Sequence, residues 1–173
     1  MDFSIIFPGQ GSQSVGMLAE LASESPLVQE TFGQASEILG YDLWKLTQEG
    51  PEETLGQTEH TQPALLTTGV AIYRVWRSEG GPLPIAMAGH SLGEYTALAV
   101  AGALSFEDGL RLVRRRGEAM RDAGIAEPGS MAASKAIPNC VACPVCWKTY
   151  TDKEKPVNPE PRVETVCPNQ TIR

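Results

Sequence analysis

Residues 84–102 constrain this chain more than any other stretch. Pro84-Ile85-Ala86-Met87-Ala88-Gly89 is a short apolar run. It leads at once into Gly89-His90-Ser91-Leu92-Gly93, and a helical segment from Leu92 to Ala101 follows, closed by Gly102. An apolar run of that length, bounded by Pro and Gly, reads as a buried strand. When a strand turns directly into a helix around a serine, the arms of the turn nearly touch, so only small residues fit two positions either side of it. Gly89 and Gly93 stand at those positions. Such a turn lifts the Ser91 hydroxyl out of the sheet at a helix N-terminus, where backbone N–H groups point at developing negative charge. The G-x-S-x-G spacing alone is weak evidence, because Gly and Ser are common. The strand before it and the helix after it make Ser91 a candidate nucleophile.

The rest of the N-terminal region alternates in the same way. Phe3-Ser4-Ile5-Ile6-Phe7 is a β-rich run ending in the loop signal Pro8-Gly9-Gln10-Gly11. Ser25-Pro26 reads as an N-cap with a first-turn proline; Leu27, Val28, Phe32, Ala35, Ile38 and Leu39 follow at helical spacing, and Gly40 closes the helix. A second helix is expected from Pro63 to Ser78, with Leu65, Ile72, Val75 and Trp76 inward. Ser105-Phe106-Glu107-Asp108 is a capping box that opens a further helix to about Ala123, with Gly124 at its end. Strand–helix alternation of this kind predicts an α/β fold with a parallel sheet and flanking helices.

A serine is a poor nucleophile without a base in hydrogen-bond reach. Of the two histidines, His90 adjoins Ser91, and neighbouring side chains on such a turn diverge. His60 lies in Thr58-Glu59-His60-Thr61-Gln62-Pro63 and reads as a solvent-exposed loop residue. No histidine follows Ser91, so the constellation is expected to be incomplete.

The net charge of −7 argues against a nucleic-acid binder. No run of apolar residues is long enough for a membrane span, and the N-terminus lacks a basic signal-peptide region, so a cytoplasmic protein is expected. Arg111, Arg114, Arg115, Arg116 and Arg121 form a local cationic stretch, which suits an anionic partner or substrate. Glu107, Asp108, Glu118 and Asp122 lie among them, and for most of these arginines a solvated, charge-balanced helix face is the simpler reading.

Four ordered blocks carry a family resemblance: Phe7-Pro8-Gly9-Gln10-Gly11-Ser12-Gln13, Thr61-Gln62-Pro63-Ala64, Gly89-His90-Ser91-Leu92-Gly93-Glu94-Tyr95, and Arg115-Arg116-Gly117-Glu118-Ala119-Met120. With them, residues 2 to about 133 resemble malonyl-CoA:acyl-carrier-protein transacylases of bacterial type II fatty acid synthesis, and also acyltransferase domains of polyketide synthases. The resemblance implies the α/β-hydrolase-like large subdomain of the acyltransferase fold, here incomplete because nothing matches the family's ferredoxin-like subdomain. It implies that Ser91 takes the malonyl group from coenzyme A as an ester and releases it to the phosphopantetheine thiol of an acyl carrier protein, with no cofactor. By the same resemblance the backbone N–H groups of Gln10 and Leu92 form the oxyanion hole, and Arg116 grips the free carboxylate of malonate. Gly89, His90, Gly93 and Gln62 support the turn and the site. The family's base is a histidine from a later segment, held by a later glutamine. Neither has a counterpart after about Ser134, so low or absent turnover is expected, and the family's missing strands should leave apolar faces of the sheet uncovered and the chain poorly soluble. A serine thioesterase or hydrolase shares the same turn and stays open as an alternative.

Composition changes near residues 129–135. All 17 glycines fall at or before Gly129, and all four cysteines after it. Residues 1–134 carry 8 basic and 17 acidic residues, net −9, while residues 135–173 carry 6 and 4, net +2. The expected organisation is a partial acyltransferase domain, 1–133, followed by a poorly ordered Cys- and Pro-containing tail, 134–173. Cys140, Cys143, Cys146 and Cys167 have spacings compatible with a zinc knuckle or an iron–sulfur cluster, which would make the chain a metal-binding or interaction protein. Against this, Cys167 stands alone and no scaffold is evident, as expected for an unstructured appendage or a sequence joined by frameshift, fusion or a gene-model error.

Overall fold

A computed structural model describes residues 2–126. The expectations for residues 127–173, including the cysteine site and the poorly ordered tail, lie outside the described residues. The elements run β1 (Ser4–Phe7), α1 (Ala19–Glu24), α2 (Pro26–Leu39), α3 (Leu43–Glu49), α4 (Glu52–Leu55), α5 (Thr58–Ser78), β2 (Ala86–Gly89), α6 (Leu92–Val100) and α7 (Phe106–Ala126). The fold is α/β, as expected: β1 and β2 pair in parallel with Phe7 opposite Gly89, so both strands end at the same edge. Among the described residues no helix is long and apolar enough to cross a membrane.

The helices carry the core. Helix α2 buries Val28, Phe32, Ala35 and Leu39, with Leu27 and Ile38 at its margin, as the spacing predicts. Its N-cap is Ser25, without a side-chain cap bond, and Gly40 ends it in the left-handed region at φ 77°. Phe32, Leu43, Leu55, Leu66, Leu92, Leu110 and Val113 are fully buried together, so α2, α3, α4, α5, α6 and α7 share one apolar centre. At the start of α7 the Ser105 hydroxyl accepts from the Asp108 N–H at 3.0 Å and donates to the Asp108 carboxylate at 2.7 Å. Half of the capping box therefore forms. The helix then runs through Gly124 to Ala126 instead of ending there.

Two sequence expectations are corrected here. Helix α5 begins at Thr58, five residues before Pro63, because the missing donor of a proline is tolerated once the preceding turn is held another way. The N–H groups of His60 and Thr61 donate to Gln57, and the Thr61 hydroxyl donates to the Leu55 carbonyl. His60 is accordingly a half-buried helical residue, not an exposed loop residue. Its ring meets Tyr41 edge to face at 5.2 Å, and neither its Nδ1 nor the Tyr41 hydroxyl, both buried, has a hydrogen-bond partner among the described residues. Burial pushes the Tyr41 phenol up to about 12.

The second correction concerns the sheet. Pro84–Gly89 was expected to be a buried strand and Ile72 and Trp76 to face inward. Yet Ile85 is 70% exposed, Ile6 76%, Ile72 46% and Trp76 42%. Leu65 and Val75 do lie inside. Ile72 and Trp76 do turn toward β1, lining an apolar groove of about 460 Å³ with Phe3, Ile5 and Phe7. Nothing among the described residues closes that groove, so side chains on the inward stripe of α5 stay accessible.

Helices α5 and α7 meet backbone to backbone at Gly117, where an added Cβ would lie 2.6 Å from the Glu59 Cα and 2.7 Å from the Thr58 carbonyl oxygen. Gly117→Ala must force the two backbones apart and should lower stability in urea unfolding by about 1–3 kcal/mol. Gly124→Ala, on the same helix with nothing within 4 Å, should instead raise it by about 0.5–1 kcal/mol. Burial holds the His60 imidazole below its ordinary value of 6.5; Glu59 opposes this, while Arg114 and Arg121 add to it. The unfolded chain then takes up this proton before the folded one does. The stability tied to neutral His60 is complete above pH 6.5 and is lost as the pH falls below it. Between about pH 8 and about pH 5.5 the urea midpoint of the unmodified chain should therefore drop further than that of His60→Phe.

Candidate active site

The two strand-end loops lie side by side because β1 and β2 are parallel and in register. The His90 N–H donates to the Phe7 carbonyl at 3.1 Å, which carries the ladder one residue past β2 before the chain turns. Three glycines make the turn possible. A Cβ on Gly89 would run into the backbone of Gly93 and Glu94, and one on Gly93 into the Phe7 carbonyl. One on Gly9 would lie 2.8 Å from His90 Nδ1 and 2.9 Å from the His90 carbonyl oxygen. Gly89 and Gly93 thus do what the motif requires of them. Gly9 locks the first loop onto the second.

Ser91 sits at the apex, exposed, with φ 53° and ψ −106°, a backbone region that a non-glycine residue adopts only under constraint. The constraint is visible on its C-terminal side. The Leu92 side chain is fully buried in the core, and the N–H groups of Gly93 and Glu94 already donate to the carbonyls of His90 and Ser91. No described residue accepts from the backbone N–H of Leu92 or of Gln10. Two donors, one from each strand-end loop, are therefore available to a ligand at this edge.

Arg116 reaches the same place from α7. Its Nη2 donates to Ser91 Oγ at 2.9 Å and its Nη1 to Gln62 Oε1 at 2.7 Å, while the guanidinium lies over the Tyr95 ring with Cζ 5.7 Å from the centroid. Gln62 is fully buried, and its Nε2 donates to Thr58 Oγ1 at 2.8 Å and contacts Met120 Sδ at 3.3 Å. Thr58 Oγ1 in turn donates to Gln10 Oε1 at 3.0 Å. The structure thus brings together Ser91, Leu92, Gln10, Gln62 and Arg116. It adds Thr58 and Tyr95, which sequence reasoning did not single out. Tyr95 stood inside a matched block; Thr58 fell in what the sequence presents as a loop before the helix, and no sequence signal marked it.

The other arginines of the stretch are occupied. Arg111 pairs with Glu107 at 2.6 Å, Arg114 and Arg115 with Glu118 at 3.3 and 3.4 Å, and Arg121 with Glu59 at 2.6 Å and Asp122 at 2.8 Å. Arg114 also donates to the Leu39 carbonyl at 2.6 Å. The solvated, balanced face read from the sequence describes these four. Arg116 alone among them has no acidic partner within the described residues, which leaves its charge for a ligand.

Neither histidine is placed as a base for Ser91. His90 is exposed and lies with its Nδ1 against Gly9. His60 is two residues from Gln62 on α5, hence about 200° around the helix, on the side facing Tyr41.

Comparison with known proteins agrees with this geometry. The acyl transferase domain family matches residues 4–149, a span that continues past the compositional seam near residues 129–135. The malonyl CoA-acyl carrier protein transacylase of Escherichia coli (strain K12) is 54% identical over 144 residues, covering 83% of this chain and 47% of the relative. Among solved structures, the malonyl CoA-acyl carrier protein transacylase from Coxiella burnetii shares 60% identity at a TM-score of 0.70, over 71% of this chain and 39% of that one. A malonyl-transacylase solved in complex with its type II polyketide acyl-carrier protein shares 57% identity at a TM-score of 0.70, over 71% of this chain and 40% of that one. The chain therefore spans less than half the length of the relatives it matches. By the match over residues 4–149, it belongs to the acyl transferase domain family.

Proposed function

We propose that this chain carries the acyl-accepting part of a malonyl-transfer site, in which Ser91 takes malonate from malonyl-CoA for delivery to the thiol of an acyl carrier protein, in fatty acid biosynthesis. One observation carries this reading. The hydroxyl of a strained, exposed serine lies 2.9 Å from a guanidinium that has no carboxylate of its own among the described residues. A nucleophile beside an unpaired cation suits an acyl group that ends in a carboxylate. A free malonyl carboxylate would pair with Arg116, whereas acetyl would leave the cation unmatched at the moment of transfer.

In the first half-reaction Ser91 Oγ attacks the thioester carbonyl. The carbonyl oxygen becomes an oxyanion, which the N–H groups of Gln10 and Leu92 are available to receive. The C–S bond then breaks, coenzyme A leaves as its thiolate, and the Ser91 proton passes to a base. The carrier's thiol reverses these steps on the seryl ester. Since neither histidine is placed to take that proton, we propose that this chain by itself acylates slowly and turns over poorly. Malonyl-CoA and the carrier protein are its expected partners, the cytoplasm its expected location, and no cofactor takes part. We keep 1–133 as the partial acyltransferase domain and 134–173 as a separate tail.

Intact-protein mass spectrometry after incubation with malonyl-CoA tests the reading. It should show one malonyl adduct, absent in Ser91→Ala, and acetyl-CoA should acylate more slowly. Arg116→Ala should cut the malonyl-over-acetyl preference by about 10- to 100-fold. The steady-state rate with carrier protein should stay close to background. Rapid multiple turnover would overturn the assignment of slow chemistry, and thioester hydrolysis with no need for Arg116 would point to a hydrolase instead.

A further inference from the structure

The hydrogen bonds behind the candidate site form one directed chain, with Thr58 at its centre. Arg116 Nη1 donates to Gln62 Oε1, Gln62 Nε2 donates to Thr58 Oγ1, and Thr58 Oγ1 donates to Gln10 Oε1. A hydroxyl can accept from one amide and donate to another at the same atom. Gln62 is fully buried, so which way its amide points is decided inside the protein and not by solvent. Its NH2 has two neighbours, Thr58 Oγ1 at 2.8 Å and Met120 Sδ at 3.3 Å, of which the sulfur is a weak acceptor. The guanidinium can only donate and so takes the carbonyl end, while the threonine oxygen accepts from the NH2 end and holds the amide from the other side. Without it, the NH2 end loses its strong acceptor and the amide is fixed from the Arg116 side alone. The reversed orientation would set an NH2 against a guanidinium, donor against donor.

The other half of the link runs to the first strand-end loop. Gln10 is exposed, and its side chain is tied to α5 by the Thr58 hydroxyl at 3.0 Å. The same residue supplies one of the two strand-end backbone N–H groups that have no acceptor among the described residues. Thr58 also sits at a close contact of α5 with α7, its carbonyl oxygen 2.7 Å from where a Cβ of Gly117 would lie, next along the chain from Arg116. Thr58, on α5, is therefore packed against α7, which carries the arginine, while its hydroxyl reaches the loop of Gln10.

We infer that Thr58 is a positioning residue: its hydroxyl sets the amide of Gln62, and through it Arg116, while tethering the Gln10 loop beside Ser91. Thr58 touches no reacting atom; it couples carboxylate recognition to oxyanion stabilisation. The inference rests on the malonyl-transfer reading for Arg116, but its effect on the Gln10 loop can be measured without that reading.

The test compares Thr58→Val, which keeps the shape and removes the hydroxyl, with Thr58→Ser, which keeps the hydroxyl, in the full chain. Two readouts are taken, with urea midpoints as a control for folding. The first is the rate at which an uncharged alkyl fluorophosphonate labels Ser91, located by mass spectrometry; it involves no carboxylate and reports on the nucleophile and its oxyanion donors. The second is the malonyl-to-acetyl ratio of the Ser91 adduct. Thr58→Val should lower the labelling rate and the malonyl-to-acetyl ratio each by about 10-fold, and Thr58→Ser should restore both to within about 2-fold. Equal labelling and an equal ratio in all three chains would overturn the inference. So would parallel losses in Val and Ser variants that track their stability. An unmodified chain that labels with the fluorophosphonate yet forms no malonyl adduct would refute malonyl transfer, and the Val-to-Ser labelling comparison would then decide Thr58 alone. Failure of the unmodified chain to label would overturn it too, since no working oxyanion site would exist to position.

Discussion

The close approach of backbone to backbone at the C-terminal ends of β1 and β2 is the contact on which the rest of the site depends. Gly93 lies against the Phe7 carbonyl, Gly89 against Gly93 and Glu94, and Gly9 against His90, each with no room for a methyl group. These contacts force the chain to reverse from strand to helix within a few residues. They hold Ser91 at φ 53° and ψ −106°, a conformation that costs on the order of 1–3 kcal/mol for a residue with a side chain. The cost is met by what surrounds it: the buried Leu92 side chain on one side and the ladder bond from His90 to Phe7 on the other. With both loops clamped, their free N–H groups, from Gln10 and Leu92, lie at one edge of the sheet. Active sites of parallel sheets form at the carboxyl ends of strands for this reason.

A second close approach, at Gly117, delivers the cation. Residues two apart on a helix point in nearly opposite directions, so Arg114 and Arg116 divide between two tasks. Arg114 turns to Glu118, the Leu39 carbonyl and the Tyr41 ring, tying α7 to the end of α2. Arg116 turns to Gln62, Ser91 and Tyr95. On composition alone the two are indistinguishable, and so is Arg115 between them. What separates them is the supply of carboxylates: Glu107, Glu118, Glu59 and Asp122 satisfy Arg111, Arg114, Arg115 and Arg121 and none reaches Arg116.

The parts of the fold that could be read from sequence were those set by local chemistry. The glycine pair around Ser91, the Ser25–Pro26 start and Gly40 end of α2, and the Ser105 cap of α7 each depend on a few adjacent residues. Local signals misled where a neighbouring element overrode them. Pro63 looks like a helix start, but the Gln57 and Leu55 carbonyls hold an earlier turn, which draws His60 out of a loop and onto Tyr41. The apolar run of β2 promised burial that no described layer provides. Thr58 was invisible because its meaning lies in a hydrogen bond to Gln10, 48 residues away, and no periodicity encodes a contact of that kind.

The exposed apolar faces and the assembled site belong to different parts of the structure, and this bears on function. A parallel sheet is ordinarily covered on both faces, yet here Ile6 and Ile85 stand in the open. The contacts that shape the site do not draw on those faces. They run from loop to loop through the three glycines, from α5 to α7 through Gly117, and from α6 into the core through Leu92. Among the described residues, Ser91, the two N–H groups without an acceptor and the Arg116 guanidinium without a carboxylate can therefore hold their arrangement while the sheet stays uncovered. Proton transfer is a separate requirement, because it needs a base at Ser91 Oγ, and the group found there is a guanidinium that can only donate. The described residues around Ser91 thus supply donors and a cation, and the guanidinium beside its hydroxyl cannot take a proton.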